Sequence, residues 1–207
     1  MLTVGLTGGI AGGKSTVAGY LSEMGAVCVD ADVLAREAMV KGTGVYDRLV
    51  DHFGRDILAP DDAIDRARLA ALVFDDPAQL EALNGIVHPA VIEQVGSLLA
   101  DWRRSAGALV AVVQVPLLIE AGMTDMFDVI VVVVTTPEQQ IGRLVRMGFG
   151  VDEGLARLRY QLSDGERLPF ADFTLINKGD LALLKEETAV LYEKLKELAS
   201  PGSPGKQ

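Results

Sequence analysis

Two hydrophobic rhythms alternate along the chain. Largely apolar runs of strand length fall at residues 2–6, 26–29, 108–113 and 128–134, and residues 171–177 read as a last strand. Between them, apolar residues recur at helical spacing over 14–24, 33–40, 46–53, 66–74, 77–85, 89–104, 152–162 and 180–198, and Pro137 opens a further helix. Valine runs that never alternate with polar residues suit strands buried on both faces, the condition of a parallel sheet covered by helices. The pattern therefore predicts an α/β fold with a mostly parallel sheet. Residues 42–104 interrupt it, because helical segments follow one another there without strand-like alternation, and they are expected to form a helical insertion. The closing segment 200–207 has the Ser, Pro and Gly composition of a flexible tail.

At 207 residues, 49 % of them hydrophobic, the chain is long enough for one sizeable domain and apolar enough to fill a core. A net charge of −10 opposes extended contact with nucleic-acid phosphates, which needs clustered Lys and Arg. A small anionic ligand would instead need a local basic pocket. The single cysteine, Cys28, allows no internal disulfide and has no Cys or His neighbours at metal-ligand spacing. It suits a reducing compartment, as a buried strand residue. The apolar runs are far shorter than the about 20 residues needed to cross a bilayer, and the first residues carry no basic segment of a signal peptide. These features point to a soluble cytoplasmic protein, a monomer or small homo-oligomer, with neither membrane nor nucleic acid as partner.

The strongest chemical signal joins the first strand to the first helix. Gly8-Gly9-Ile10-Ala11-Gly12-Gly13-Lys14-Ser15 fits Gly, any four residues, Gly-Lys-Ser/Thr. Glycines let successive amides turn inward on phosphate oxygens and keep side chains out of the way. Lys14 is placed to reach the β- and γ-phosphates, Ser15 to ligate Mg²⁺, and the following helix presents unpaired N–H groups to the anion. Dinucleotide binding is excluded, since no Gly-x-Gly-x-x-Gly spacing occurs between Gly5 and Gly13.

Further candidates follow in order. In an open α/β sheet ligands gather at the carboxyl ends of strands, so Asp30 and Asp32 after the second strand are expected beside the loop. Two apart, they share a face if the strand continues through them. Asp30 suits a cap or supporting role as well as a direct one, whereas Asp32 is the candidate for chemistry. Gln114 ends the third run, where P-loop proteins often carry an acid that assists Mg²⁺. The helix opened by Pro137 carries Gln140, with Arg143 and Arg146 on one face, and the next carries Arg157 and Gln161 across a flexible Gly148-Phe149-Gly150 joint. Arginines near a phosphate loop can neutralise charge on a transferred group and close as a lid. His88, before Pro89, suits a ligand contact or a structural helix terminus. His52 and Trp102 read as packing residues.

Taken together, Gly5-Leu6-Thr7-Gly8-Gly9-Ile10 through Gly13-Lys14-Ser15-Thr16, Asp30-Ala31-Asp32, Ile64-Asp65-Arg66, His88-Pro89, Pro116-Leu117-Leu118 with Glu120, Gln140-x-x-Arg143, Gln161, and Ala171-Asp172 with Asn177 closely resemble the dephospho-CoA kinase family. The resemblance runs from about residue 2 to 198 and implies ATP-dependent phosphorylation of the ribose 3′-hydroxyl of dephospho-CoA, the last step of coenzyme A synthesis. It implies a P-loop kinase three-layer fold in one domain over 1–199, with an acceptor-binding insertion over about 42–104 and a lid over about 137–167. Asp32 falls at the family's acidic position beside the acceptor hydroxyl. The expected site then places Gly9, Ile10, Ala11, Gly12, Gly13, Lys14, Ser15 and Thr16 around ATP, with Arg146 and Asn177 also toward the nucleotide. Ser15 takes Mg²⁺, and Asp32, Lys14 and Arg143 are the catalytic groups. Departures from the family pattern are Ala11-Gly12 for the commoner Gly-Ser, Gln114 for an acid, Arg167 for a lysine and Ile176 for an acid. A nucleoside or nucleotide kinase shares the core, and a nucleotide switch without transferase activity shares the loop.

Overall fold

A computed structural model of the chain describes residues 1–74, 76–105, 109–159 and 161–200, apart from the side chains of Phe74, Glu153 and Arg157. Positions 201–207 of the expected tail and Ala108 at the start of the expected third strand lie outside the described residues. The chain divides into two compact units, Met1–Asp30 with Leu99–Gln207, and Ala31–Leu98.

The first unit is built on five strands: β1 (Leu2–Gly8), β2 (Val27–Asp30), β3 (Val110–Gln114), β4 (Val129–Val134) and β5 (Phe173–Ile176). They lie in the order β2-β3-β1-β4-β5, and every pairing is parallel. The apolar runs explain this: β3 and β4 are buried almost throughout, so neither face can be left to water. Val4, Leu6, Val112, Val131 and Leu175 of the sheet share one core with Val17 and Leu21 of α1 (Lys14–Glu23). Leu184, Leu191 and Leu195 of α9 (Leu181–Ala199) complete it. Asp180 caps α9 by accepting from the N–H groups of Ala182 and Leu183.

The second unit holds α2 (Ala31–Ala38), α3 (Gly44–Phe53), α4 (Arg66–Phe74) and the greater part of α5 (Pro77–Arg104). Among the described residues its only strand-like feature is a single antiparallel bridge between Leu58 and Ile64. Thr43 caps α3, its hydroxyl accepting from Tyr46 N–H at 3.1 Å. Leu49, Ile57, Leu69 and Val95 are among its buried residues. Asp62 holds the bridge turn in a left-handed conformation, φ 62°, and pairs with Lys41 and Arg55.

The remaining helices are α6 (Pro137–Arg146), α7 (Val151–Arg159) and α8 (Asp164–Arg167). Two expectations are corrected. β2 stops at Asp30 and the chain turns directly into α2, so Asp30 and Asp32 do not alternate along one strand. Residues 77–85 and 89–104 are one helix, with Pro89 inside it. Proline removes one N–H from the ladder and leaves its fixed φ helical, which a long helix with many other bonds tolerates.

Candidate functional site

The chain leaves β1 at Gly8, whose φ of 148° lies where side chains are disfavoured and whose absent Cβ would stand 2.2 Å from the Val133 carbonyl of β4. Gly13, at φ 108°, forms the N-terminal cap of α1. Between them the loop's carbonyls are taken up by donors. Lys14 Nζ, almost buried, donates to the oxygens of Gly8 and Gly9 at 2.9 and 3.0 Å. Gln140 Nε2 donates to Ile10 O at 2.9 Å. Arg143 Nη1 donates to Ala11 O and Gly12 O at 2.8 and 3.1 Å. Asn177 Nδ2 reaches Gly12 O at 2.8 Å. Ala11 itself is held at φ 55°, unusual for a residue with a Cβ. With the carbonyls engaged this way, the amides at the start of α1 remain the donors suited to an anion, reinforced by the helix dipole.

Two glycines have a second role here. A Cβ on Gly9 would meet Gln140 Nε2 at 2.3 Å, and one on Gly13 would meet Asn177 Nδ2 at 2.1 Å. The loop lacks side chains at these points so that two amides from distant parts of the chain can reach its backbone.

Arg143 is tied on its other side to Asn177 Oδ1 at 3.0 Å. Its guanidinium is pulled below its ordinary pKa first by burial and then by the charge of Arg146, although an arginine remains protonated at any relevant pH. An anion beside the pair relieves that repulsion. Arg146 is exposed in the last turn of α6. The Arg157 side chain is outside the described set. Gln161 lies just past the end of α7, not inside a helix, and its Oε1 accepts the Ile10 N–H at 2.8 Å.

Ser15 is exposed in the first turn of α1. Thr16 follows it, its N–H turned back to Gly13 O at 3.1 Å. At the ends of β2 and β3, Gln114 Nε2 donates to Asp30 Oδ2 at 3.0 Å, so the residue standing in place of an acid grips the acid on the next strand. Asp32 belongs to the other unit. It occupies the first turn of α2, where a carboxylate suits the helix dipole, and its carbonyl accepts from Arg36 Nε at 2.9 Å. His88 sits within α5, half-buried, with burial lowering its pKa. Asp172 has a structural contact, accepting the Ile130 N–H of β4 at 2.8 Å.

Sequence reasoning gave no role to the cluster around Arg167. This arginine is 1 % exposed, with Nη2 at 3.0 Å from Glu120 Oε1 and Nη1 at 3.5 Å from Asp164 Oδ1. A fully buried guanidinium requires such partners. The one local signal was Ser163-x-x-Glu166, a capping box that starts α8 and so sets the direction of Arg167.

A family model described as dephospho-CoA kinase matches residues 2–182. A relative from Carboxydothermus hydrogenoformans named dephospho-CoA kinase is 40 % identical over 194 residues, covering 93 % of this chain and 94 % of that one. Among solved structures, the Thermus thermophilus protein TT1252 superposes with a TM-score of 0.75 at 34 % identity, over 93 % of this chain and 97 % of the other. A dephospho-CoA kinase from Campylobacter jejuni gives 0.70 at 22 % identity, over 94 % and 97 %, a likeness of fold.

Proposed function

The chain belongs to the dephospho-CoA kinase family, and from that premise we propose that it transfers the γ-phosphoryl of ATP to the ribose 3′-hydroxyl of dephospho-CoA, giving coenzyme A and ADP. The observation that carries the reading is the phosphate loop with Lys14 and Arg143 both bonded to its backbone, two cations at one anion cradle. Phosphoryl transfer leaves a protein little covalent chemistry, so alignment and charge stabilisation do the catalysis.

The loop from Gly9 to Thr16 surrounds the triphosphate, while its Ile10, Gly12 and Thr16 amides keep their bonds within the protein. Lys14 exchanges its loop carbonyls for phosphate oxygens, keeping its charge beside the β- and γ-groups. Arg143, steadied by Asn177, stabilises negative charge on the transferring group, and Arg146 adds to the field. Asp32 orients the acceptor hydroxyl and takes its proton, in the role the family resemblance gives that position. Residues of about 42–104 serve as the acceptor-binding insertion and residues of about 137–167 as the lid.

Among the described residues no group of three or more His, Cys, Asp or Glu side chains is placed to hold a metal. That fits Mg²⁺, which is held mainly by phosphate oxygens and waters with few protein ligands. Ser15 would hold the ion, with Asp30, bonded by Gln114, as a supporting acid on the neighbouring strand. Bound there, Mg²⁺ neutralises charge on the β- and γ-phosphates.

Purified protein with ATP and Mg²⁺ should release ADP rapidly on addition of dephospho-CoA, and far more slowly with nucleosides or nucleoside monophosphates. Release no faster than without acceptor would sink the proposal, and preference for a nucleoside would transfer the chain to a different acceptor. Asp32→Asn should lower turnover by roughly 10²–10⁴ with ATP affinity little changed; undiminished turnover removes Asp32 from the reaction.

A further inference from the structure

One residue of the phosphate loop, Ile10, is held at both of its backbone polar groups by side-chain amides. Ile10 N–H donates to Gln161 Oε1 at 2.8 Å, and Ile10 O accepts from Gln140 Nε2 at 2.9 Å. Gln140 is 5 % exposed and rises from α6, a helix started by its own Thr136 cap. Gln161 itself is not in a helix.

Its position is set by its neighbours instead. The N–H of Leu162 donates to Glu120 Oε1 at 3.1 Å, and the same oxygen accepts from buried Arg167. Asp164, the other partner of Arg167, takes the Thr135 N–H beyond the end of β4 at 3.1 Å. The segment that carries Gln161 is therefore fastened, by an ion cluster centred on buried Arg167, to the chain following β3 and β4. Gln161 is neutral and faces a backbone N–H, so it adds no charge to the site; its effect passes through the loop.

We propose that Gln161 is a positioning residue for phosphoryl transfer, which with Gln140 clamps the two peptide groups flanking the Ile10 Cα and so sets the orientation of the loop amides that follow it. This rests on the kinase reading above. Displacement of a loop by about 1 Å can cost on the order of 10²-fold in rate, while total contact with bound nucleotide changes less. Nucleotide affinity and turnover should therefore separate.

The test compares Gln161→Ala and Gln161→Glu with the full-length protein. Turnover of Gln161→Ala should fall about tenfold or more, while the dissociation constant of ADP stays within about threefold. Gln161→Glu retains an oxygen acceptor for Ile10 N–H but sets a carboxylate against the phosphate loop, so it is read by ligand-free exchange alone. Amide exchange at Ile10, read without any ligand, should speed up about fivefold or more in Gln161→Ala and return toward wild type in Gln161→Glu. A turnover loss below threefold in Gln161→Ala, unchanged Ile10 exchange in that variant, or exchange in Gln161→Glu as fast as in Gln161→Ala overturns the clamp. A wild-type protein inactive on dephospho-CoA would refute the functional reading, and the ligand-free exchange result would then decide the clamp by itself.

Discussion

Replacing Asn177 with alanine separates two ideas of what this residue does. The side chain is 2 % exposed and makes three hydrogen bonds: it donates to Gly12 O at 2.8 Å and accepts from Arg143 Nη2 at 3.0 Å and from Gly179 N–H at 3.1 Å. Bonds between neutral groups contribute about 1 kcal/mol each and one to a charged group about 1.5–3 kcal/mol, so the gross loss is about 4 kcal/mol. Part is recovered, because Gly12 O keeps Arg143 Nη1 and Arg143 keeps Gln139 Oε1 at 3.4 Å. A net destabilisation of about 2–3 kcal/mol remains, or about 4–12 °C in melting temperature for a chain of this size. Asn177→Asp keeps both accepted bonds but turns a carboxylate oxygen toward Gly12 O. It should lose about 1 kcal/mol of stability and at least tenfold in ATP affinity, through the added negative charge at the loop. The checks are thermal and urea unfolding with a fluorescent-nucleotide titration. If Asn177→Ala melts within about 2 °C of wild type while ATP affinity collapses, Asn177 contacts the nucleotide directly and the buttressing account is wrong.

Five further outcomes follow from the same geometry. Gly8→Ala drives a Cβ to 2.2 Å from the Val133 carbonyl at a positive φ, and should cost more than about 4 kcal/mol or prevent soluble folding; Gly19→Ala, inside α1 with nothing within 4 Å, should raise stability by about 0.5–1 kcal/mol in urea unfolding. Glu120→Ala leaves Arg167 buried with Asp164 as its remaining acidic partner and should cost about 3–5 kcal/mol; a loss under 1 kcal/mol in denaturant titration would show that water or a rotation rescues the guanidinium. Burial pushes the Cys28 thiol to about 11, so alkylation at pH 8 should be slower in the folded than in the urea-unfolded protein by about 100-fold. Because that folded value is raised, the thiol's contribution to stability is complete below its ordinary pKa near 9.0 and falls as pH rises toward 11; urea midpoints that rise between pH 9 and 11 at the Cys28-dependent increment, judged against Cys28→Ala, would contradict it.

Much of the architecture was legible because it depends on local periodicity. Unbroken valine runs announced buried parallel strands, and β4 and α4 were read from the chain to within a residue of their observed bounds. The phosphate loop was equally local: eight consecutive residues carry its turn, its cation and its helix start. Reading failed where a continuation had to be guessed. Nothing adjacent in sequence says whether Asp30 ends its strand or passes through it, and Pro89 was taken as a helix start although the helix runs on through it.

The sequence by itself thus determined an α/β fold around a phosphate cradle, since hydrophobic spacing and the loop motif are properties of neighbouring residues. Tertiary structure alone decided who holds the cradle. The order β2-β3-β1-β4-β5 carries Asn177 beyond the edge strand back to Gly12, 165 positions away, and brings Gln140, Arg143 and Gln161 to the intervening carbonyls and amide. It also buries Arg167, a residue whose chemistry predicts exposure, because Glu120, 47 positions upstream, offsets its charge. Side-chain partners at such separations depend on strand order and register, which long-range packing sets and no local pattern encodes.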